Sequence, residues 1–291
     1  MARFSYGDLL KQLYGTKVQK LNVNAGFTCP NRDGSLGLGG CTYCNNASFT
    51  PSFSKPSSNV KQQLADGKRF YANKYPSMKY LAYFQSFTGT YAPLPTLQAL
   101  YEEALSVPDV VGLVISTRPD CLSDEIMAYL AEINKTHKVI LEIGVETSHN
   151  RTLKLINRCH TWQCAIDAIN KVSQYGISVG VHLILGLPKE TIDDMMTTVD
   201  AIAELPLNSV KFHQLQVLRG TRLAQQWLKG ETQLIIWTAE EYAILCKRIV
   251  EHLPERIAIE RMVSTAPESL LLHPKWGLKP TQFQHFLGNL F

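Results

Sequence analysis

The sequence predicts an α/β fold, a parallel sheet with its helices packed outside, and three observations lead there. Apolar runs rich in β-branched residues alternate with helix-period stretches along most of the 291 residues. A Gly or Pro follows most of the apolar runs, as in repeated strand–helix units. Ser123 and Thr161 stand where helices need N-caps, and Gly176 stands where one ends. Six such units build either an open doubly wound sheet or an incomplete barrel. The pattern alone does not choose between them, but both place active sites at the C-terminal ends of the strands.

Strands are expected at residues 18–23, 80–85, 110–116, 139–145, 178–185 and 209–217. Helices are expected at 59–74, 97–106, 124–134, 162–175, 192–204 and 239–251. The Pro- and Ser-rich stretch 50–58 reads as a surface connection. Residues 1–220 hold the six strands with a short N-terminal extension. Residues 221–291, with Trp227, Trp237 and Trp276, form a C-terminal extension expected to pack over one end of that core.

Composition narrows the function. Hydrophobic and charged shares of 45% and 19% fit a globular enzyme. A net charge of +4 permits an anionic partner such as RNA without demanding one. No apolar run reaches the roughly 18–20 residues of a membrane span. The opening text MARFSYGDLLKQLYG lacks a signal-peptide core, so a cytoplasmic protein with no membrane contact is expected. Of the 7 cysteines, three crowd together as metal ligands would in a reducing compartment.

Those three lie in GFTCPNRDGSLGLGGCTYCNN, just after the first expected strand. The spacing is wide between Cys29 and Cys41 and CxxC between Cys41 and Cys44. Gly34, Gly37, Gly39 and Gly40 let the backbone wrap closely around a bulky inorganic group. Thiolates hold iron–sulfur clusters, which normally take four ligands. Structural zinc also takes four, commonly as two close pairs. Three thiolates on a four-iron cluster would leave one iron open to substrate or cofactor. A zinc loop completed by a remote His or Cys is the alternative.

The segment resembles the radical S-adenosylmethionine (SAM) signature in its long-spacing form, with the aromatic Tyr43 just before the last cysteine. The texts GFTCPNRDG, CTYCNNASF and YFQSFTGTYAPL are similar to the YhcC/YtqA-like branch, relatives of the Elongator catalytic subunit. The likeness runs from about residue 6 to about residue 276. It implies a partial (β/α)6 TIM-like barrel and a 4Fe-4S cluster on Cys29, Cys41 and Cys44. It also implies SAM on the open iron, reductive cleavage to a 5'-deoxyadenosyl radical, and an external electron donor such as flavodoxin or ferredoxin.

The same resemblance assigns expectations to the strand ends. Gln85 and Ser86 match the turn that holds the SAM amino group, although the family's GGE text is absent. Glu142 matches the residue that bonds the SAM ribose; a salt-bridged support for the barrel is the alternative. Glu142 and Glu146 are four apart and share a strand face. Arg158 suits the SAM carboxylate, in Asn157-Arg158-Cys159-His160 where relatives read NRGH. Cys159 therefore puts a side chain where relatives have none. Arg118 and Asp120, flanking Pro119, either pair with each other or face the site. Cys121 reads as a packing residue.

His182, Lys211 and His213 are the candidate catalytic residues; alternation puts Lys211 and His213 on one strand face and Phe212 on the other. The branch further implies tRNA as partner and the wobble uridine as target, with a carboxymethylaminomethyl group converted to aminomethyl. Lys211, His213, Lys275 and Lys279 are then candidates for contacting substrate or phosphates. A radical SAM enzyme on a metabolite or protein, and a structural or electron-transfer metal protein, are the other readings.

Overall fold

The computed structural model describes residues 4–51, 53–54, 58–72 and 78–288. The chain opens with α1 (Tyr6–Tyr14) and β1 (Val18–Val23), then passes a 3₁₀ turn at Asn46–Ser48. Alternation follows as α2 (Val60–Ala72), β2 (Lys79–Phe84), α3 (Leu94–Leu105), β3 (Val110–Thr117), α4 (Asp124–Thr136) and β4 (Lys138–Glu146). Next come α5 (Asn150–Leu155), α6 (Trp162–Gln174), β5 (Ser178–Leu185), α7 (Ile192–Ala203) and β6 (Ser209–Gln214). The C-terminal part holds β7 (Val217–Leu218), α8 (Arg222–Leu228), α9 (Ala239–His252), β8 (Ala258–Arg261), β9 (Leu271–His273) and α10 (Pro280–Gly288).

Among the described residues, one 7-stranded sheet runs in the order β1-β2-β3-β4-β5-β6-β8. Every neighbouring pair in it is parallel. β1 and β8 are its two edges, yet Lys20 of β1 reaches Glu260 of β8 at 2.8 Å. Edge strands can meet that way only if the sheet curls, so the architecture is a partial barrel. β7 and β9 form a separate antiparallel pair. No helix among the described residues is long and apolar enough to cross a membrane.

Alternation along the strands divides the interior into layers. Leu21, Phe84, Leu113, Leu141, Val179 and Phe212 face outward and pack against helix residues such as Leu97, Met127, Ile169 and Val199. Inside the barrel, Leu81, Tyr83, Val114 and Ile140 pack against Leu10 of α1, which plugs the N-terminal end. A capping box of Ser5 and Asp8 starts α1, and Gly15 in the left-handed region (φ 69°) ends it. Ser123 and Thr161 cap α4 and α6 as expected, accepting from the amides of Ile126 and Cys164.

The boundaries differ from expectation in instructive places. The sixth strand stops at Gln214 and not at 217. The Gln214 amide exchanges bonds of 2.7 and 2.8 Å with the backbone of Ser264, and Gln216 adds one of 3.1 Å, drawing the chain off the ladder. α3 starts earlier than expected, because Pro in its first turn is a helix starter. Residues 73–74 of the second expected element, and 52 and 55–57 of the 50–58 connection, lie outside the described residues. The C-terminal extension adds β8 to the sheet, as well as helices over it.

Candidate active site at the mouth of the barrel

A cavity of about 200 Å³ opens at the C-terminal ends of the strands. Cys29, Cys41, Cys44, Gln85, Glu142, Arg158, His182 and His213 all line it. Arg118 and Glu146 are there too. Ser86, Lys211, Lys275 and Lys279 are not in its lining. Ser86 is buried, beside Phe87 in the left-handed region (φ 62°). Lys211, a candidate for substrate contact, is 3% exposed and lies beneath the cavity, its ammonium bound to carboxylates. Lys275 and Lys279 are exposed.

The cysteine loop is tightly turned. The Cys29 carbonyl accepts from the amides of Arg32 and Asp33 at 2.8 and 3.3 Å. At Gly40 (φ +76°) a Cβ would sit 2.8 Å from Arg32 Nε, so the residue must be glycine for the arginine to cross it. Arg32 then donates to the Cys44 carbonyl at 3.1 Å. The sulfurs themselves have donors. Asn31 Nδ2 and Arg158 Nη1 each lie 3.6 Å from Cys41 Sγ, and Asn46 Nδ2 lies 3.7 Å from Cys44 Sγ. Such bonds steady a thiolate and tune a metal bound to it.

Two arginines stand beside the thiols. Arg158 donates to the Gly144 carbonyl at 2.7 Å and lies 3.4 Å from Glu146. Glu146 reaches the cavity despite a register slip between Gly144 and Glu146 and a φ of 69°. Arg118 grips Asp120 with paired bonds of 2.8 and 2.6 Å and also donates to the Arg158 carbonyl at 2.9 Å. The two alternatives for Arg118 both hold, since it pairs with Asp120 and also lines the cavity. Arg118 Nη1 and Arg158 Nε are buried with no hydrogen-bond partner among the described residues. A buried donor left unmade costs about 1–3 kcal/mol, and both cations stand in the wall of the cavity that holds the thiols.

Cys159 adopts φ 60°, the left-handed state that glycine favours. Its Sγ lies 3.0 Å from Asn31 Oδ1, outside the cavity lining. Asn31 in turn donates to the Asn157 carbonyl. The extra side chain thus touches the residue that bonds Cys41. Cys121 faces Asp120, and burial pushes its thiol up to about 12. Cys246 is fully buried in the outer core.

Below the cavity lies a charged layer that sequence reasoning only partly caught. Glu142 is 2% exposed. Its Oε1 receives Lys20 at 2.5 Å; its Oε2 receives Tyr83 (2.5 Å), His182 (2.8 Å), Lys211 (3.0 Å) and Ser116 (3.2 Å). Glu260 takes Lys20 at 2.8 Å and Lys211 at 3.0 Å. Burial pushes the Glu142 carboxyl up, but Lys20, Lys211 and His182 outweigh it and hold it well below the usual range. Burial and then Lys211 press His182 below its ordinary value. Lys20, Tyr83 and Glu260 were missed. Each is one polar residue at an inward position of a strand, which is the available signal.

Among the described residues no three His, Cys, Asp or Glu side chains converge as a single metal ion would need. Three thiols around one cavity suit a cluster, which takes each thiolate on a separate iron. The profile of the Radical SAM superfamily matches residues 26–202, more than half of the chain. The chain belongs to the radical SAM superfamily. A Radical SAM C-terminal domain matches residues 207–287. Uncharacterized protein YtqA of Bacillus subtilis is 38% identical over 269 residues, covering 92% of this chain and 83% of that one. Protein YhcC of Escherichia coli is 36% identical over 271 residues, covering 93% and 85%. These place the chain in the YhcC/YtqA-like branch.

Among solved structures, the archaeal Elp3 of Methanocaldococcus infernus aligns with TM-score 0.71 at 18% identity, over 94% of this chain and 62% of that chain. That likeness shows the shared partial-barrel fold. A shorter match is the tRNA uridine(34) acetyltransferase of the same organism, 30% identical over 128 residues, 42% of this chain and 23% of that one. SAM and a 4Fe-4S cluster are the cofactors of the radical SAM family.

Proposed function

We propose that this radical SAM enzyme acts on tRNA, removing the carboxymethyl unit from a carboxymethylaminomethyl group on the wobble uridine to leave aminomethyl. The methylene would lose one hydrogen atom to the SAM-derived radical and one electron to an acceptor, and water would then release the unit as a two-carbon oxo acid. The observation that carries its radical chemistry is the cavity where three thiols meet two arginines with unpartnered buried donors. The tRNA part is supported by partial similarity to a protein whose name places its action on tRNA uridine 34.

Cys29, Cys41 and Cys44 would hold the cluster. When bound, cluster and SAM supply a radical able to take hydrogen from an unactivated carbon. An external donor of the flavodoxin or ferredoxin kind provides the electron. Arg158 and Arg118 line the same cavity as the thiols, where their positive charge suits the carboxylate of SAM and offsets that of the thiolates. Gln85 is available at the other wall, fixed by a 3.0 Å bond from Asn22. Glu142 already serves five donors, so its part is to hold His182 in place beside the reacting groups.

The test is incubation of reduced, cluster-loaded enzyme and SAM with tRNA bearing carboxymethylaminomethyluridine, followed by nucleoside mass analysis. Loss of the carboxymethyl unit with matching 5'-deoxyadenosine is expected. SAM cleavage that leaves every tRNA nucleoside unchanged refutes the reading.

A further inference from the structure

His182 and His213 have opposite charges behind them, Glu142 at the first and Arg261 at the second. His182 Nε2 lies 2.8 Å from Glu142 Oε2. Glu142 is held ionised by Lys20 and Lys211 and can only accept, so the hydrogen is on Nε2. Burial and Lys211 keep the ring neutral, which leaves Nδ1 bare.

At His213 the neighbour is a cation. Arg261 Nη2 lies 3.2 and 3.3 Å from the two ring nitrogens. Near-equal distances put the guanidinium over the ring face and not in its plane, so it brings positive charge to the ring. Burial and Arg261 keep this ring neutral as well, so one of its nitrogens carries a hydrogen and can donate. Both rings line the cavity, with centroids 5.4 Å apart. Arg261 is half-buried behind His213, and its Nε is buried without a partner among the described residues. The adjacent Glu260 gives it no counter-charge, being bound to Lys20 and Lys211.

We propose that His182 and His213, backed by Arg261, form a substrate subsite for an amine next to a carboxylate. The bare nitrogen of His182 accepts from the amine. The N–H of His213, with the positive charge of Arg261 behind it, meets the carboxylate. This rests on the wobble-uridine reading, in which the carboxymethylamino unit is such a group. The methionyl end of SAM has the same chemistry, but Arg158 and Arg118 provide for it beside the thiols.

The experiment uses cluster-loaded, SAM-bound enzyme with ¹⁵N-labelled histidine. Ring spectra are expected to show both rings neutral at pH 7.5, with the His182 hydrogen on Nε2; a His182 hydrogen on Nδ1 overturns the proposal. Calorimetry then compares tRNA bearing carboxymethylaminomethyluridine with tRNA bearing aminomethyluridine. The wild type should prefer the first by about tenfold, the scale of one charge-assisted bond. Arg261→Met should erase the preference, Arg261→Lys should restore part of it, and SAM affinity should be unchanged in both.

A preference that survives Arg261→Met overturns the subsite. A fall in SAM affinity overturns it too, by assigning these groups to SAM. If the wild type shows no preference between the tRNAs, N-methylglycine decides. Shifts of both histidine signals in the wild type and not in Arg261→Met keep the subsite and overturn the wobble-uridine reading alone. No shift overturns the subsite.

Discussion

Replacing Lys20 by Met tests whether the charged layer holds the barrel closed. The Lys20 ammonium lies 2.5 Å from Glu142 and 2.8 Å from Glu260, and its side chain is 13% exposed. At an effective dielectric of about 20 these contacts correspond to about 7 and about 6 kcal/mol of attraction. Desolvating the three groups cancels several kcal/mol of that per ion. Removing the lysine leaves two buried carboxylates sharing Lys211, and the expected loss is about 3–5 kcal/mol, as for other broken buried pairs. That is a large part of the roughly 5–15 kcal/mol that holds a domain folded. Urea unfolding followed by circular dichroism measures it. Adding Glu260→Gln to Lys20→Met should recover part of the loss, because it removes a stranded charge. A Lys20→Met loss below about 1 kcal/mol, the scale of an exposed pair, or a double variant no better than the single one, would refute the reasoning.

Three further outcomes are expected. Anaerobically reconstituted protein should hold about four irons on one cluster; Ala at Cys29, Cys41 or Cys44 should lose it, and Cys246→Ala should keep it, as read by iron analysis. Arg158→Met should retain iron but bind SAM about 1–3 kcal/mol more weakly; unchanged affinity by calorimetry would remove Arg158 from the carboxylate site. Stability should fall as pH drops below about 6.5, the value for unfolded histidine. His182, His213 and His160, the last pressed down to about 3 by burial and then Arg158, take up protons mainly once unfolded. Glu142, depressed in the fold, adds a second loss below about 4.3. A flat profile of unfolding free energy between pH 7.5 and 4.5 would contradict this.

The six strands of the core and the cysteine loop were legible because each has a local signature: period-two burial, turn residues, and thiols at diagnostic spacing. β8 was not, since AIER is four residues with one apolar pair and becomes a strand only through its ladder with β6. α1 is amphipathic over nine residues, and its place as a plug depends on Leu81 and Ile140 far along the chain. The role of Glu142 was half legible. An acid in an apolar strand announces a partner, but Lys20 is 122 residues away and Tyr83 is 59 residues away. Only the curl of the sheet brings them together. Arg118 and Asp120 show the opposite case, a pair two residues apart that the sequence offers as one of two alternatives.

The Lys20–Glu260 contact, between residues 240 apart in sequence, also ties the seventh strand to the charge of the interior. Without β8 the interior would hold the ammonium groups of Lys20 and Lys211 against the single carboxylate of Glu142. Glu260 supplies the second carboxylate, so the strand that completes the sheet also balances the charge inside it.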